Sequence, residues 1–243
     1  MSRIPRTVFV LAALVVLTTG LAMADSLTVN NTAAMGGTGT ACGGSNCGLD
    51  VDHDNSSVAY VQDDSPNDEQ IYRASFIFNP NSISPGSNLR QTIFVGQDLN
   101  PNTGAGVCGT SKFMTNFRCF AYMTGGAGQN YSILCFTRGN LCGESAILQR
   151  QAISENSPTK VCVEYEIGTG SLGGRLALAV VSPATGACPT SGTSAWAERT
   201  VTNSLYSGID FVRLGTPQTN FFGVGEDGHM YYDEFESFRT LAP

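Results

Sequence analysis

The residues of this chain that could do acid–base chemistry are carboxylates on alternating positions. Glu164 and Glu166 stand at i and i+2 in the segment Lys160–Ile167. On a strand they share a face about 6.5–7 Å apart, at ~3.3 Å per residue. At that spacing two carboxyls can act as acid and base, or acid and nucleophile, on a glycosidic bond. Glu234 and Glu236 make a second such pair. A solvated strand face accounts for either pair without any chemistry, because charged side chains mostly stay exposed. Trp196, Tyr206 and Tyr232 are candidates for binding a ligand, since aromatic rings stack on sugar faces, although core packing is their commoner fate. Tyr122, Tyr131 and Tyr231 raise the same question more weakly.

A metal is the other chemistry to consider. Asp50-x-Asp52-x-Asp54 has the alternation with which calcium loops begin. Calcium takes six to eight oxygen ligands, and the EF-hand form needs Gly at the sixth position and Glu at the twelfth. Asn55 and Val61 stand there, so that form is excluded. A looser calcium site and a solvated acidic loop both remain. Nucleophilic catalysis has little to work with. His53 and His229 are the only histidines, and no Gly-x-Ser-x-Gly elbow occurs. Gly104-x-Gly106 and the Gly125–Gly128 run lack the strand–helix context of a phosphate loop.

The elements that must position these residues read as strands. Gln70–Asn79 alternates, with Tyr72, Ala74, Phe76 and Phe78 on one face. Lys160–Ile167 puts Val161, Val163, Tyr165 and Ile167 opposite Cys162, Glu164 and Glu166. Arg175–Ser182 is apolar on both faces and should be central. Leu89–Val95, Phe117–Met123, Tyr131–Phe136, Gly208–Leu214 and Met230–Phe238 complete the set. Glu144–Ile153 fits a helix or a strand equally. Ten or more strands with Gly, Asn and Pro clusters between them predict an all-β, two-sheet antiparallel jelly-roll sandwich. The 28 glycines then serve turns that need positive φ.

The N-terminus reads as an address. Arg3 and Arg6 precede an apolar run from Val8 to about Leu21, and Ala22-Met-Ala24 follows, the pattern of a secretory signal peptide cleaved after Ala24. Residues 25–57 should then form an N-terminal strand with Gly-, Ser- and Asp-rich loops as part of the sandwich that spans 58–239, and 240–243 a short tail. Without Arg3 and Arg6 the formal charge of −7 becomes −9. An acidic chain is a poor partner for nucleic acid, and no stretch is long and apolar enough to span a bilayer. The expected location is periplasmic, secreted or cell-surface. All eight cysteines follow the signal: Cys42, Cys47, Cys108, Cys119, Cys135, Cys142, Cys162 and Cys188. An even number in an oxidising compartment predicts disulfides. The simplest and expected pairing is sequential, 42–47, 108–119, 135–142 and 162–188. The alternative is nested: a hairpin centred in Gly125–Gly128 would join 119 to 135 and 108 to 142.

Three stretches carry a family resemblance: Ala59-Tyr-Val-Gln-Asp63 through Tyr72-Arg73-Ala-Ser-Phe76-x-Phe78-Asn79; Ser207-Gly-Ile-Asp210-Phe-Val-Arg213; and Tyr231-Tyr-Asp233-Glu-Phe-Glu-Ser237-Phe-Arg239. Together they resemble exported bacterial domains of the concanavalin A-like, or laminin-G-like, sandwich superfamily. The resemblance implies that the opening and closing strands lie together, and that Asp233 matches an acid that holds a structural calcium in many members. Laminarinase-type relatives carry Glu, Asp and Glu on alternate positions of one strand. Here Gly168 takes the third place, so that pattern is broken. The leading expectation is therefore a non-enzymatic exported module that binds a polysaccharide or cell-surface glycan, or serves as a structural or adhesive domain. The alternatives are a glycoside hydrolase using Glu164 and Glu166, and a surface or matrix protein that self-associates.

Overall fold

The computed structural model describes residues 27–30, 33–35, 48–53, 58–64, 66–83, 89–99, 114–124, 130–140, 144–147, 149–169, 173–217 and 228–240. They form strands β1 (Leu27–Asn30), β2 (Ala33–Met35), β3 (Leu49–His53), β4 (Ala59–Asp63), β5 (Ile71–Asn79), β6 (Leu89–Asp98), β7 (Met114–Thr124) and β8 (Asn130–Arg138). These are followed by β9 (Glu144–Ala146), β10 (Gln151–Ile153), β11 (Thr159–Glu166), β12 (Gly174–Val181), β13 (Ala197–Val201), β14 (Phe211–Thr216) and β15 (Gly228–Phe238). Sheet one has the order β1-β4-β14-β6-β7-β8-β10, with β9 also on β8. Sheet two has the order β13-β12-β11-β5-β15-β3-β2. All the pairings are antiparallel, and the two sheets make the sandwich that the periodicity predicts.

Alternation decides which side chains meet between the sheets. Tyr72, Ala74, Phe76 and Phe78 of β5 share one buried core with Val161, Val163 and Tyr165 of β11 and with Phe94, Phe117 and Leu214 of sheet one. Phe94 lies 5.3 Å from Phe76 and 5.5 Å from Phe117, ring centre to ring centre, tying the layers together. β5 pairs with β15 (Phe78 opposite Tyr232, Arg73 opposite Phe238), so the opening and closing strands of the resemblance are neighbours. Of the N-terminal stretch, β1 joins sheet one and β2 and β3 join sheet two. Residues 1–24 lie outside the described residues.

A second, small apolar cluster explains why β12 is apolar on both faces. Leu176 and Leu178 face the core, while Ala177 and Ala179 lie with Cys162 and Trp196 beneath the segment 182–196. That segment runs over the outer face of sheet two and is fastened to β11 by the Cys162–Cys188 disulfide. Trp196 donates from Nε1 to the Thr190 carbonyl at 3.0 Å.

Two expectations are corrected. Over Glu144–Ile153 there is neither a helix nor one strand; β9 and β10 are short strands that pair with different parts of β8. Sequential disulfide pairing fails at Cys119, which joins Cys135. The reason is register. Thr124 pairs with Asn130 across the β7–β8 hairpin, and counting outward puts Cys119 opposite Cys135, with a Cα separation of 4.0 Å. The pairs 108–119 and 135–142 are thereby excluded. Cys42, Cys47, Cys108 and Cys142 lie outside the described residues.

Candidate functional site: two outer faces of opposite charge

Glu164 and Glu166 do share the outer face of β11, but Glu164 does not sit on a solvated surface. Its side chain is fully buried because the stapled segment 182–196 closes over it. Arg175 Nη1 donates to Glu164 Oε2 at 2.7 Å and to Glu166 Oε1 at 3.1 Å, and Nη2 donates to Glu198 Oε1 at 2.6 Å. Ser191 Oγ donates to the other Glu164 oxygen, and Arg73 Nε stands 3.9 Å from it. Burial alone would lower the Arg175 pKa, but its bonds to Glu198 and Glu164 outweigh that and raise it. A carboxylate held by a guanidinium on one oxygen and a hydroxyl on the other ties β11 to β12 and to the segment 182–196.

The second pair is separated by a β-bulge. Register shifts between Asp233 and Glu236, and Glu234 takes a left-handed φ of 47°. Glu234 reaches Lys160 at 3.4 Å. Glu236 lines a groove of about 360 Å³ with Arg73, Ser75, Lys160 and Phe238.

Of the metal candidates, Asp233 lines a cleft with Asp63 and Glu234. Asp233 Oδ1 accepts from its neighbour, the Glu234 N–H, at 2.8 Å. Asp50 Oδ1 lies 2.8 Å from His229 Nδ1. Asp54 and the side chain of Asp52 lie outside the described residues. Among the described residues, no three His, Cys, Asp or Glu side chains gather to hold a metal ion.

The three aromatic candidates are buried: Trp196 under its own loop, Tyr206 behind Asn203, and Tyr232 in the core. Tyr232 does line an apolar cavity of about 280 Å³ between the sheets, with Leu49, Val61, Val212, Leu214 and Phe235. Burial raises the pKa of Tyr232, as it does those of Tyr72 and Tyr165.

The outer face of sheet one carries a constellation that the sequence reading missed. In register across four neighbouring strands run Arg213 of β14, Val95 of β6, Arg118 of β7 and Phe136 of β8. The next rows add Arg90 opposite Tyr122. Arginine planes cover the rings throughout. The guanidinium carbons of Arg90 and Arg118 lie 4.4 and 4.8 Å from the centre of Phe120. Arg150 lies 4.1 Å over Tyr122, and Arg213 lies 4.6 Å over Tyr60 and 4.9 Å over Phe211. Phe120 is wholly covered; Tyr60, Tyr122 and Phe136 stay half-buried, and Arg150 is exposed. Burial lowers the Arg213 pKa, against the pull of Tyr60 and Asp64. Beside Tyr60, Gly215 has φ of +123° and no room for a side chain, since a Cβ there would meet the Ala59 carbonyl at 2.6 Å. The alternation Arg118-x-Phe120-x-Tyr122 was a local signal for this face. Arg90, Arg150 and Arg213 are far from it in sequence.

No protein-family model matches the chain, and no curated protein matches it. Some solved structures are similar to it at low identity. The chain is similar to the conserved carbohydrate esterase vb_24B_21 from Shiga toxin-encoding bacteriophage phi24B, with 12% identity and a TM-score of 0.49 over 91% of this chain and 93% of that one. It is similar to alginate lyase vAL-1 from Chlorella virus, with 14% identity and a TM-score of 0.43 over 80% and 85%. It is also similar to the SAP-like pentraxin of Limulus polyphemus, with 14% identity and a TM-score of 0.38 over 72% and 66%. At such identities and TM-scores the likeness carries neither family nor activity across. No helix among the described residues is long and apolar enough to cross a membrane.

Proposed function

We propose that the chain is an exported, non-enzymatic glycan-binding sandwich of the concanavalin A-like kind, and that its ligand lies across the outer face of sheet one. The observation that carries this reading is the group of half-buried rings, Tyr60, Tyr122 and Phe136, set on one sheet face among the guanidiniums of Arg150 and Arg213. Guanidinium donors set over and beside half-buried rings suit a sugar, which offers hydroxyl acceptors and C–H groups at its edges. Export is supported by the N-terminal pattern and by two disulfides. The hydrolase alternative loses ground because Arg175 and Ser191 hold Glu164 beneath a closed segment.

A polysaccharide pull-down and a glycan array on the mature chain test the proposal. Tyr122→Ala is expected to weaken retention on the bound glycan about two- to tenfold, by the ~0.5–1.5 kcal/mol of an aromatic contact, read well below the variant's melting transition, because Tyr122 also packs against the core. Equal retention by wild type and variant would overturn it.

A further inference from the structure

We infer that the outer face of sheet one selects a polyanionic glycan, a polymer whose sugars bear carboxylate or sulfate groups; this rests on the glycan-binding reading above. Charge is sorted between the two faces of the sandwich. The chain has 13 Lys and Arg against 20 Asp and Glu, yet Arg90, Arg118, Arg150 and Arg213 gather over one face. The strands β14, β6, β7 and β8 contain a single carboxylate, Asp98. It is fully buried and accepts from the Ser207 N–H and Oγ at 2.8 and 3.0 Å. The acid nearest this face is Asp64 at its rim, bonded by Gln62 at 2.6 Å. The glutamates gather on the opposite face, with Glu164, Glu166 and Glu198 on Arg175 and Glu234 on Lys160.

Geometry favours an extended acidic chain over a single ion. Arg213 and Arg118 belong to one cross-strand row with one strand between them, so their backbones are about 10 Å apart at ~4.8 Å per strand. That is close to the length of a disaccharide, which lets alternate sugars each meet a guanidinium. Arg213 donates from Nε to Gln62 Oε1 at 2.6 Å, and a guanidinium so held has further N–H donors with which to meet a carboxylate or sulfate.

The test measures binding of the full mature chain to four probes, polygalacturonate, dextran sulfate, neutral dextran and a single-stranded oligo-dT, at low and at raised salt. The expected result is binding of one or both anionic glycans, weakened by salt as exposed charge contacts are; which one binds separates carboxylate from sulfate. Arg118→Gln, Arg213→Gln and Arg150→Gln should each weaken it about tenfold, the loss of one charge-assisted contact. Lys160→Gln, which removes the same charge from the opposite face, should leave it unchanged. Arg150 is exposed, so its variant decides the matter if the others do not fold. Binding to neutral dextran that is insensitive to salt and to the arginine variants would overturn the inference and leave the glycan reading standing. Binding of no glycan, or of oligo-dT alone, would overturn both.

Discussion

Replacing Glu164 by Gln separates a structural carboxylate from a catalytic one. The substitution keeps the shape of the side chain and removes its charge. Glu164 is fully buried and takes a 2.7 Å bond from Arg175 and another from Ser191. A glutamine can offer one oxygen to Arg175 and donate from its amide to the Ser191 hydroxyl, but that amide then faces the Arg73 donor and the charge that Arg175 holds is gone. A lost bond to a charged group costs about 1.5–3 kcal/mol, and a buried charge left alone costs about 3–5 kcal/mol. Arg175 keeps Glu166 and Glu198 and is partly exposed, so the lower range applies, about 2–3 kcal/mol. At ~2–4 °C per kcal/mol for a domain of this size, the melting temperature should fall by about 4–12 °C. Glu166→Gln removes one bond from a more exposed side chain and should cost less than ~1 kcal/mol. Thermal melts of the oxidised protein read both values, alongside a reducing-end assay on polysaccharide. A melt for Glu164→Gln within a degree of wild type would refute the structural reading. So would release of reducing ends that both variants abolish without loss of stability.

Other outcomes follow from the same geometry. Non-reducing peptide mapping should yield a Cys119–Cys135 peptide and no Cys108–Cys119 peptide; the reverse would show that the β7–β8 register is wrong. Burial raises the pKa of Tyr72, Tyr165 and Tyr232, so stability should be flat below about pH 10, where the phenols stay neutral in both states. Above it only the unfolded chain ionises them, and stability should fall by about 4 kcal/mol per pH unit for three groups at ~1.4 each. Denaturant titrations at neutral and alkaline pH check this, and a flat profile would contradict it. Asn203 is buried and bonds Gly168 N at 2.8 Å, the Tyr165 hydroxyl at 3.0 Å and the Glu166 carbonyl at 3.0 Å. Asn203→Ala should therefore cost about 2–4 kcal/mol in chemical denaturation. A chelator should not move the melting temperature, since Asp50 and Asp233 are engaged elsewhere; a fall would restore the calcium expectation.

What could be read from sequence was what one strand imposes on itself. Tyr72, Ala74, Phe76 and Phe78 alternate because one face of β5 is core, and two apolar faces on β12 announce two covers. What could not be read was how strands meet. The β7–β8 register joins Cys119 to Cys135, the pair that a hairpin centred in Gly125–Gly128 offers as an alternative to the simpler sequential one. Glu164 carries the alternation of a surface residue, and only the cover formed by 182–196 makes it a buried ion. The site on sheet one follows the same rule in reverse. Arg118, Phe120 and Tyr122 sit within one strand and were visible as a pattern. Arg90, Arg150 and Arg213 come to those rings or their neighbours from other strands. A cationic face on an acidic chain is a property of the sheet's order, because sheet order sorts the charges that composition only adds together.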